Sequence, residues 1–265
     1  MSELPQGSPA PLPAAQPGRS VSIIVPTFRE AENLPLLLAR IDQVRTTHDL
    51  DVEVLVMDDD SQDGSVNAIE KFGAAWARIV VRTENRGLSP AVVDGLRMAQ
   101  KEFLCVMDAD LSHPPEKIPD MLVALQAGFQ FVIGSRYVEG GSTDDDWGFF
   151  RWINSRIATL LALPLTRAKD PMAGFFAMRR ADLDRAAALN PIGYKIGLEL
   201  IVKCRFDNVV EVPIHFVDRE FGESKLTLRE QLKYLQHLRR LYTFKFGNWS
   251  HLLQFMAVGM SGVII

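Results

Sequence analysis

Two acidic runs carry the first chemical suggestion in this chain. One is Met57-Asp58-Asp59-Asp60-Ser61, the other Met107-Asp108-Ala109-Asp110, and each closes a short apolar run. In extended backbone, residues i and i+2 point the same way, so the carboxylates of Asp108 and Asp110 can converge on one point. Held there, they repel each other unless a cation lies between them. A hard divalent ion with oxygen ligands, Mg2+ or Mn2+, suits such a pair and can bind phosphate oxygens at the same time. Asp-x-Asp alone is a weak motif, and a solvated acidic turn is the plain alternative. Its place at the end of a hydrophobic strand, opposite a second acidic turn, gives it weight.

The cations form a scattered second set: Arg136, Arg151, Lys195, Arg219 and Lys225. The planar fork of arginine binds phosphate oxygens in pairs, although each of these residues read singly is a surface charge. His113, in Ser-His-Pro-Pro, reads better as a turn residue opening a helix than as a base. The run Asp144-Asp145-Asp146 reads as a solvated turn in a loop. No G-x-G-x-x-G and no Walker-type loop is present, which disfavours dehydrogenase and kinase chemistry. Cys105 and Cys204 stand far apart without metal-ligand spacing and read as free thiols.

The elements that must position these residues follow from periodicity. Strand-like runs at 21–26, 52–57, 78–82, 103–108 and 129–134 alternate with helical patterns at 30–47, 63–72, 89–101 and from Pro114–Pro115 onward. Such alternation predicts a mostly parallel α/β sheet covered by helices on both faces. Ligands then bind beyond the carboxyl ends of the strands, where both acidic runs lie. The second half is less regular, with a helix within 189–204 and a strand at 209–217. From residue 226 an amphipathic helix places Leu228, Leu232, Leu235, Leu238 and Leu241 on one side and carries Arg229, Lys233, Arg239, Arg240 and Lys245. A basic amphipathic helix of this kind can lie on an anionic membrane surface.

With 265 residues, 47% of them apolar and 23% charged, one large domain can bury a core unaided. A net charge of −4 gives no reason to expect nucleic acid as a partner. Residues 1–20, rich in Pro, Ala, Gly and Ser, read as a disordered tail. The stretch 249–265 lacks Asp, Glu, Lys and Arg and reads as the start of a transmembrane segment. Basic residues just before it place that side, and the catalytic domain, on the cytoplasmic face of the membrane.

A series of ordered motifs resembles glycosyltransferase family 2 and, within it, the dolichyl-phosphate (polyprenyl-phosphate) mannose synthases. The motifs are VSIIVPTFREAENL, VLVMDDDSQDGS, ENRGLSPAVVDGL, VMDADLSHPPEKI and IGSRYVEGG, followed by KDPMAGFFAMRR, LNPIGYKIGLELIVK and FVDREFGESKL. Together they cover about residues 21–245. The resemblance implies a GT-A fold, Rossmann-like, over 21–225, an interface helix over 226–248, and a donor site for GDP-mannose. On the matching positions, Pro26, Phe28, Glu30, Met57 and Asp59 would hold base and ribose. Asp108, Ala109 and Asp110 would meet the diphosphate, and Asp108, Asp110 and Ser112 a Mg2+ or Mn2+ ion. Where the family often has Gln, Ser112 is shorter.

By the same resemblance, Arg136, Lys195, Arg219 and Lys225 would bind the donor diphosphate. Arg136, Arg151 and Ser155 would bind the phosphate of a dolichyl or polyprenyl acceptor, and Asp110, Arg136, Arg151 and Arg219 would be catalytic. The Q-x-x-R-W signature of processive polymerases is absent, because Gly148 stands three residues before Arg151. A phosphate acceptor is already anionic near neutral pH, its second pKa being about 6, so no protein base is expected. The alternatives are a UDP-glucose-dependent enzyme of the same chemistry and a non-catalytic nucleotide-sugar-binding module at the membrane.

Overall fold

The computed structural model describes residues 19–143, 157–217 and 228–247. Its centre is a seven-stranded sheet of order β3-β2-β1-β4-β7-β5-β8. In chain order the elements begin with β1 (Arg19–Thr27), α1 (Asn33–Thr47), β2 (Leu50–Asp58), α2 (Ser65–Phe72), β3 (Ala77–Val81) and α3 (Leu88–Met98). There follow β4 (Phe103–Val106), α4 (Ile118–Gln126), β5 (Phe131–Ser135), β6 (Ser142–Thr143) and β7 (Phe176–Arg179). The chain then forms α5 (Ile196–Lys203), β8 (Val209–Pro213), β9 (His215–Phe216) and α6 (Leu228–Phe246). Strand β1 starts at Arg19, paired with Leu50, so the first strand reaches slightly into the stretch expected as tail.

Continuous apolar runs form the central strands because both faces of the sheet are covered. On one face α1 buries Leu34, Leu37, Leu38, Ile41 and Val44, the i, i+3, i+4, i+7 pattern of a helix against a core, beside Met121, Leu122 and Leu125 of α4. On the other face α3 and α5 bury Val92, Leu96, Ile196, Leu200 and Ile201 against Ile24, Leu55 and Phe131. Strands β1, β2, β3 and β4 run parallel, as do β5 and β8.

The strand that periodicity did not show is β7. It lies antiparallel between β4 and β5, with Cys105 facing Ala177 and Ile133 facing Phe176. Because it runs the other way, the segment entering β7 begins at the end where β4 and β5 finish. The expected strand 209–217 is broken at Ile214. Its first part joins the main sheet as β8, and His215–Phe216 pairs with Ser142–Thr143 in a small second sheet.

Helix α6 packs through a different stripe from the one expected. Leu238 and Leu241 are buried with Ala162, Leu165, Leu198 and Val202, and Tyr234 and Tyr242 pack beside them. Leu232 and Leu235 are 55% and 50% exposed. The packed set 234, 237, 238, 241 follows 3.6 residues per turn, and Leu232 and Leu235 fall on the neighbouring face. Among the described residues no helix is long and apolar enough to cross a membrane. The tail expected at 1–18 and the apolar run at 249–265 lie outside the described residues. Both cysteines are free, Cys105 in the core and Cys204 half-buried.

Candidate active site

The first wall of the site is built by the loops after β1 and β2, which hold each other through side chains. Asp58, buried at the end of β2, accepts the Ser61 amide at 2.9 Å and the Ser61 hydroxyl. Ser61 Oγ in turn accepts the amide of Arg29 at 2.9 Å. Asp63 accepts the amides of Ala31 and Ser65, each at 3.0 Å. Burial raises the Asp63 pKa, but these bonds and one from the Ser65 hydroxyl outweigh it and leave it lowered.

Asp59 pairs with Arg82 and accepts the Gly87 amide at 2.6 Å, which ties β2 to the start of α3. Phe28 is 45% exposed beside the Arg29 guanidinium, 5.1 Å from its ring centre, and Glu30 holds Asn33 Nδ2 at 2.7 Å. Pro26 is half-buried at the end of β1. Met57, expected among the donor contacts, is 0% exposed as a whole residue and packs in the core, so the structure does not present it to a ligand. The Ala109 methyl is likewise in the core.

The acidic pair sits where β4 ends. The Ser112 hydroxyl donates to Asp110 Oδ1 at 2.5 Å and the Ser112 amide to the same oxygen at 3.2 Å, so Ser112, 1% exposed, braces that carboxylate from behind. The Asp108 amide donates to His113 Nδ1 at 3.0 Å. His113 is buried, stacked on Phe175 at 5.3 Å, and burial lowers its pKa against the pull of Asp108 and Asp110. A neutral ring whose Nδ1 already accepts a backbone N–H is placed as a structural support for the turn. Gly174, arriving ahead of β7, passes so close that a Cβ there would lie 3.2 Å from Asp108 Oδ2 and 3.3 Å from His113 Cε1.

Several residues without glycine's freedom stand in the left-handed region at these strand ends: Arg29 (φ 63°), Asp60 (55°), Gln62 (52°) and Leu111 (64°). For a bulky side chain such as that of Leu111 this conformation costs about 1–2 kcal/mol. The rest of the turn must hold it in place.

Within reach of the Asp108 charge stand two cations, Arg136 and Lys195, brought from separate segments. Arg136, just after β5, forms a fork on Asp170, with Nε to Oδ2 at 2.8 Å and Nη2 to Oδ1 at 2.9 Å. Asp170 is wholly buried, and its own amide is held by Glu211 Oε1 of β8 at 2.9 Å. The Arg136 guanidinium also lies 5.1 Å from the ring centre of Phe216 in β9. Burial works against its charge, but Asp170 and then Asp108 more than offset this and raise its pKa. Lys195 Nζ donates to the Met172 carbonyl at 3.3 Å and stands over Tyr194 at 4.3 Å. Burial and the neighbouring Arg136 push it down to about 8, with Asp170 and Asp108 pulling the other way. Asp108, Arg136, Asp170 and Lys195 therefore share one electrostatic neighbourhood.

Asp170 and Glu211 are the residues that sequence reasoning missed. Asp170 lies within KDPMAGFFAMRR, yet nothing in its spacing marks it as buried. Arg151, Ser155, Arg219, Lys225 and the run Asp144–Asp146 lie outside the described residues. Among the described residues no three His, Cys, Asp or Glu side chains gather into a closed metal cage. An open acidic pair suits Mg2+ or Mn2+, which keep waters and take phosphate oxygens as further ligands.

Residues 22–186 match the family described as Glycosyl transferase family 2. The chain belongs to that family. Dolichol-phosphate mannosyltransferases of three organisms are similar to this family member over most of their length. That of Pyrococcus furiosus is 40% identical over 92% of this chain and 70% of its own. The Mycosarcoma maydis protein is 44% identical over 86% and 81%, and the Saccharomyces cerevisiae protein 39% identical over 85% and 88%. Among solved structures, mannosyl-3-phosphoglycerate synthase from Rubrobacter xylanophilus superposes with a TM-score of 0.65 at 20% identity, covering 84% of this chain and 73% of its own. Glucosyl-3-phosphoglycerate synthase from Mycobacterium tuberculosis, crystallised with Mn2+, UDP-glucose and glycerol 3-phosphate, gives 0.63 at 18% identity, over 86% and 80%. These likenesses identify the sheet and its helices as a GT-A-like fold.

Proposed function

We propose that this family-2 glycosyltransferase transfers mannose from GDP-mannose to the phosphate of dolichol or another polyprenol, with inversion, at a membrane surface. The observation that carries this reading is that Asp108 of the acidic pair shares its electrostatic neighbourhood with Arg136 and Lys195, in a chain 39–44% identical to dolichol-phosphate mannosyltransferases. An arrangement of acids facing cations suits a reaction whose donor and acceptor are both anionic.

Each group then has a task. Asp108 and Asp110 would hold Mg2+ or Mn2+ against the donor diphosphate, with Ser112 fixing the carboxylate. When bound, the ion would offset the charge of the departing nucleoside diphosphate. Arg136 and Lys195, with Arg219 and Lys225, hold the phosphates. Arg136, Arg151 and Ser155 receive the acceptor phosphate. Pro26, Phe28, Glu30 and Asp59 contact base and ribose, and Ala109 lies between the two acids that meet the diphosphate. The acceptor phosphate oxygen attacks the anomeric carbon as the diphosphate leaves on the opposite side. It carries its charge already, so no side chain has to take a proton, which agrees with His113 being committed to the Asp108 amide. Isolation of a covalent glycosyl-enzyme would contradict the single step.

The membrane reading rests on α6. Its Leu232 and Leu235 are exposed, with Arg239 and Arg240 exposed beside them, whereas Lys245 turns back to donate to the Leu165 carbonyl at 2.8 Å. Apolar and basic side chains together suit an anionic, cytoplasmic membrane face, with 249–265 as the anchor that follows.

The test is transfer of labelled sugar from GDP-mannose, and separately from UDP-glucose, to a short polyprenyl phosphate with Mn2+. It uses the full chain and Asp110→Ala. Product from GDP-mannose that falls by about 10²–10³-fold in the variant supports the reading. Product from UDP-glucose alone would replace the donor, and nucleotide binding without any product would leave a binding module.

A further inference from the structure

A buried polar cluster that the proposed reaction does not use joins α6 to the turn that carries Lys195. Glu199 and Lys203 follow Lys195 on α5, 1% and 7% exposed, with their charged ends 2.8 Å apart. The preceding loop closes round them. The Asn190 amide donates to Glu199 Oε1 at 2.7 Å, and Lys203 Nζ donates to the Ala188 carbonyl and to Asn190 Oδ1. His237 enters the cluster from α6. It is 1% exposed, its Nδ1 accepts the Ile192 amide at 3.3 Å, and it lies 3.7 Å from Glu199 Oε2.

A neutral imidazole has one acceptor nitrogen, so receiving Ile192 at Nδ1 places the ring proton on Nε2. That Nε2 and Glu199 Oε2 are buried with no hydrogen-bond partner among the described residues. Leaving such groups unsatisfied destabilises the fold. Apolar side chains of similar size would join helix to loop at lower cost, so stability alone does not account for a histidine here. What the histidine provides that leucine cannot is a directed bond to one amide.

That amide belongs to the residue three before Lys195. Between them Gly193 has φ 75°, so the turn is not held by the preferences of its own backbone. It is held from its two ends, by His237 at Ile192 and by the start of α5 at Ile196. Burial lowers the His237 pKa, while Glu199 and the backbone of Lys195 pull it the other way.

We propose that His237 is a positioning residue for Lys195, pinning the Ile192–Lys195 turn to α6 so that the ammonium group meets the donor diphosphate. This rests on the reading of Lys195 as a diphosphate-binding residue. It also ties the helix assigned to the membrane surface directly to the donor site.

The test measures the affinity of the full chain for GDP with Mn2+, at a temperature well below the melting transition of every variant so that each is fully folded. In His237→Asn the amide oxygen falls close to the place of Nδ1 and keeps the bond to Ile192. His237→Leu removes it. His237→Gln moves the acceptor to the place of Nε2 and stands in for the leucine variant should that fail to fold. Leu or Gln should weaken binding by about three- to tenfold and Asn should stay close to wild type. In a Lys195→Met background, Leu or Gln should add nothing. Equal weakening with and without Lys195, or Asn as impaired as Leu, would overturn the positioning role. If Lys195→Met alone leaves binding unchanged, the diphosphate role of Lys195 is what has failed.

Discussion

Replacing Asp170 with asparagine tests how the site keeps its central arginine in place. Asp170 is wholly buried and accepts Arg136 Nε at 2.8 Å, Nη2 at 2.9 Å and the Arg136 amide at 3.3 Å. Asparagine has the same shape, but one of its two polar atoms is an N–H donor that would face a guanidinium N–H. One arm of the fork is lost and the other loses its charge. Breaking one side of a buried ion pair costs about 3–5 kcal/mol. Arg136 is 12% exposed and one acceptor remains, so the lower end applies. At about 2–4 °C per kcal/mol for a domain of this size, the melting temperature should fall by about 6–12 °C.

The effect on activity should be larger than the loss of folded protein. A guanidinium released from Asp170 would turn toward Asp108, and a displacement of about 1 Å in a reacting group costs about 10²-fold in rate. The assay is steady-state transfer at a temperature well below both melting transitions, with active sites counted by nucleotide binding. A lowered melting temperature with unchanged kcat and KM would make Asp170 a structural residue only. Unchanged melting and unchanged rates together would refute the account of Arg136.

Other changes should be as specific. Gly174→Ala places a methyl 3.2 Å from Asp108 Oδ2, so it should weaken Mn2+ binding by about tenfold, checked by metal titration, with little change in melting temperature. Lys195 stands at about 8 in the free protein, and a bound diphosphate favours its ammonium form and raises that value. Affinity for Mg2+–GDP should therefore be complete below about pH 8 and fall, by up to tenfold per unit, as pH rises toward the pKa of the complex. Lys195→Arg should flatten that dependence, and a slope that survives the substitution would assign it to another group.

Much of this was legible in the sequence because the physical signals are local. The apolar runs that become β1, β2, β4 and β5 are covered on both faces, and such runs stand out as continuous blocks. The acidic turns stand out because they interrupt those blocks where β2 and β4 end. Strand β7 did not stand out. Four residues, Phe176–Arg179, within a glycine-containing loop show no period, and their strand character comes wholly from the neighbours β4 and β5. Asp170 was hidden for a related reason, since a charged residue beside Lys169 and Pro171 reads as surface. Only the folded sheet brings Arg136 and Glu211 to it. The face of α6 was legible in part: Leu238 and Leu241 of the leucine series are buried, but tertiary packing joins them with Tyr234 and His237 and leaves Leu232 and Leu235 outside.

The left-handed residues at the strand ends carry a consequence for how this protein can change. Leu111, Gln62 and Asp60 sit where glycine would rest more comfortably, so substitutions that relax the backbone there are among the simplest routes to a more heat-resistant chain. They are also the changes that would let the acidic turns wander. A screen that selects for thermal tolerance alone should accumulate variants at these positions that fold better and turn over more slowly.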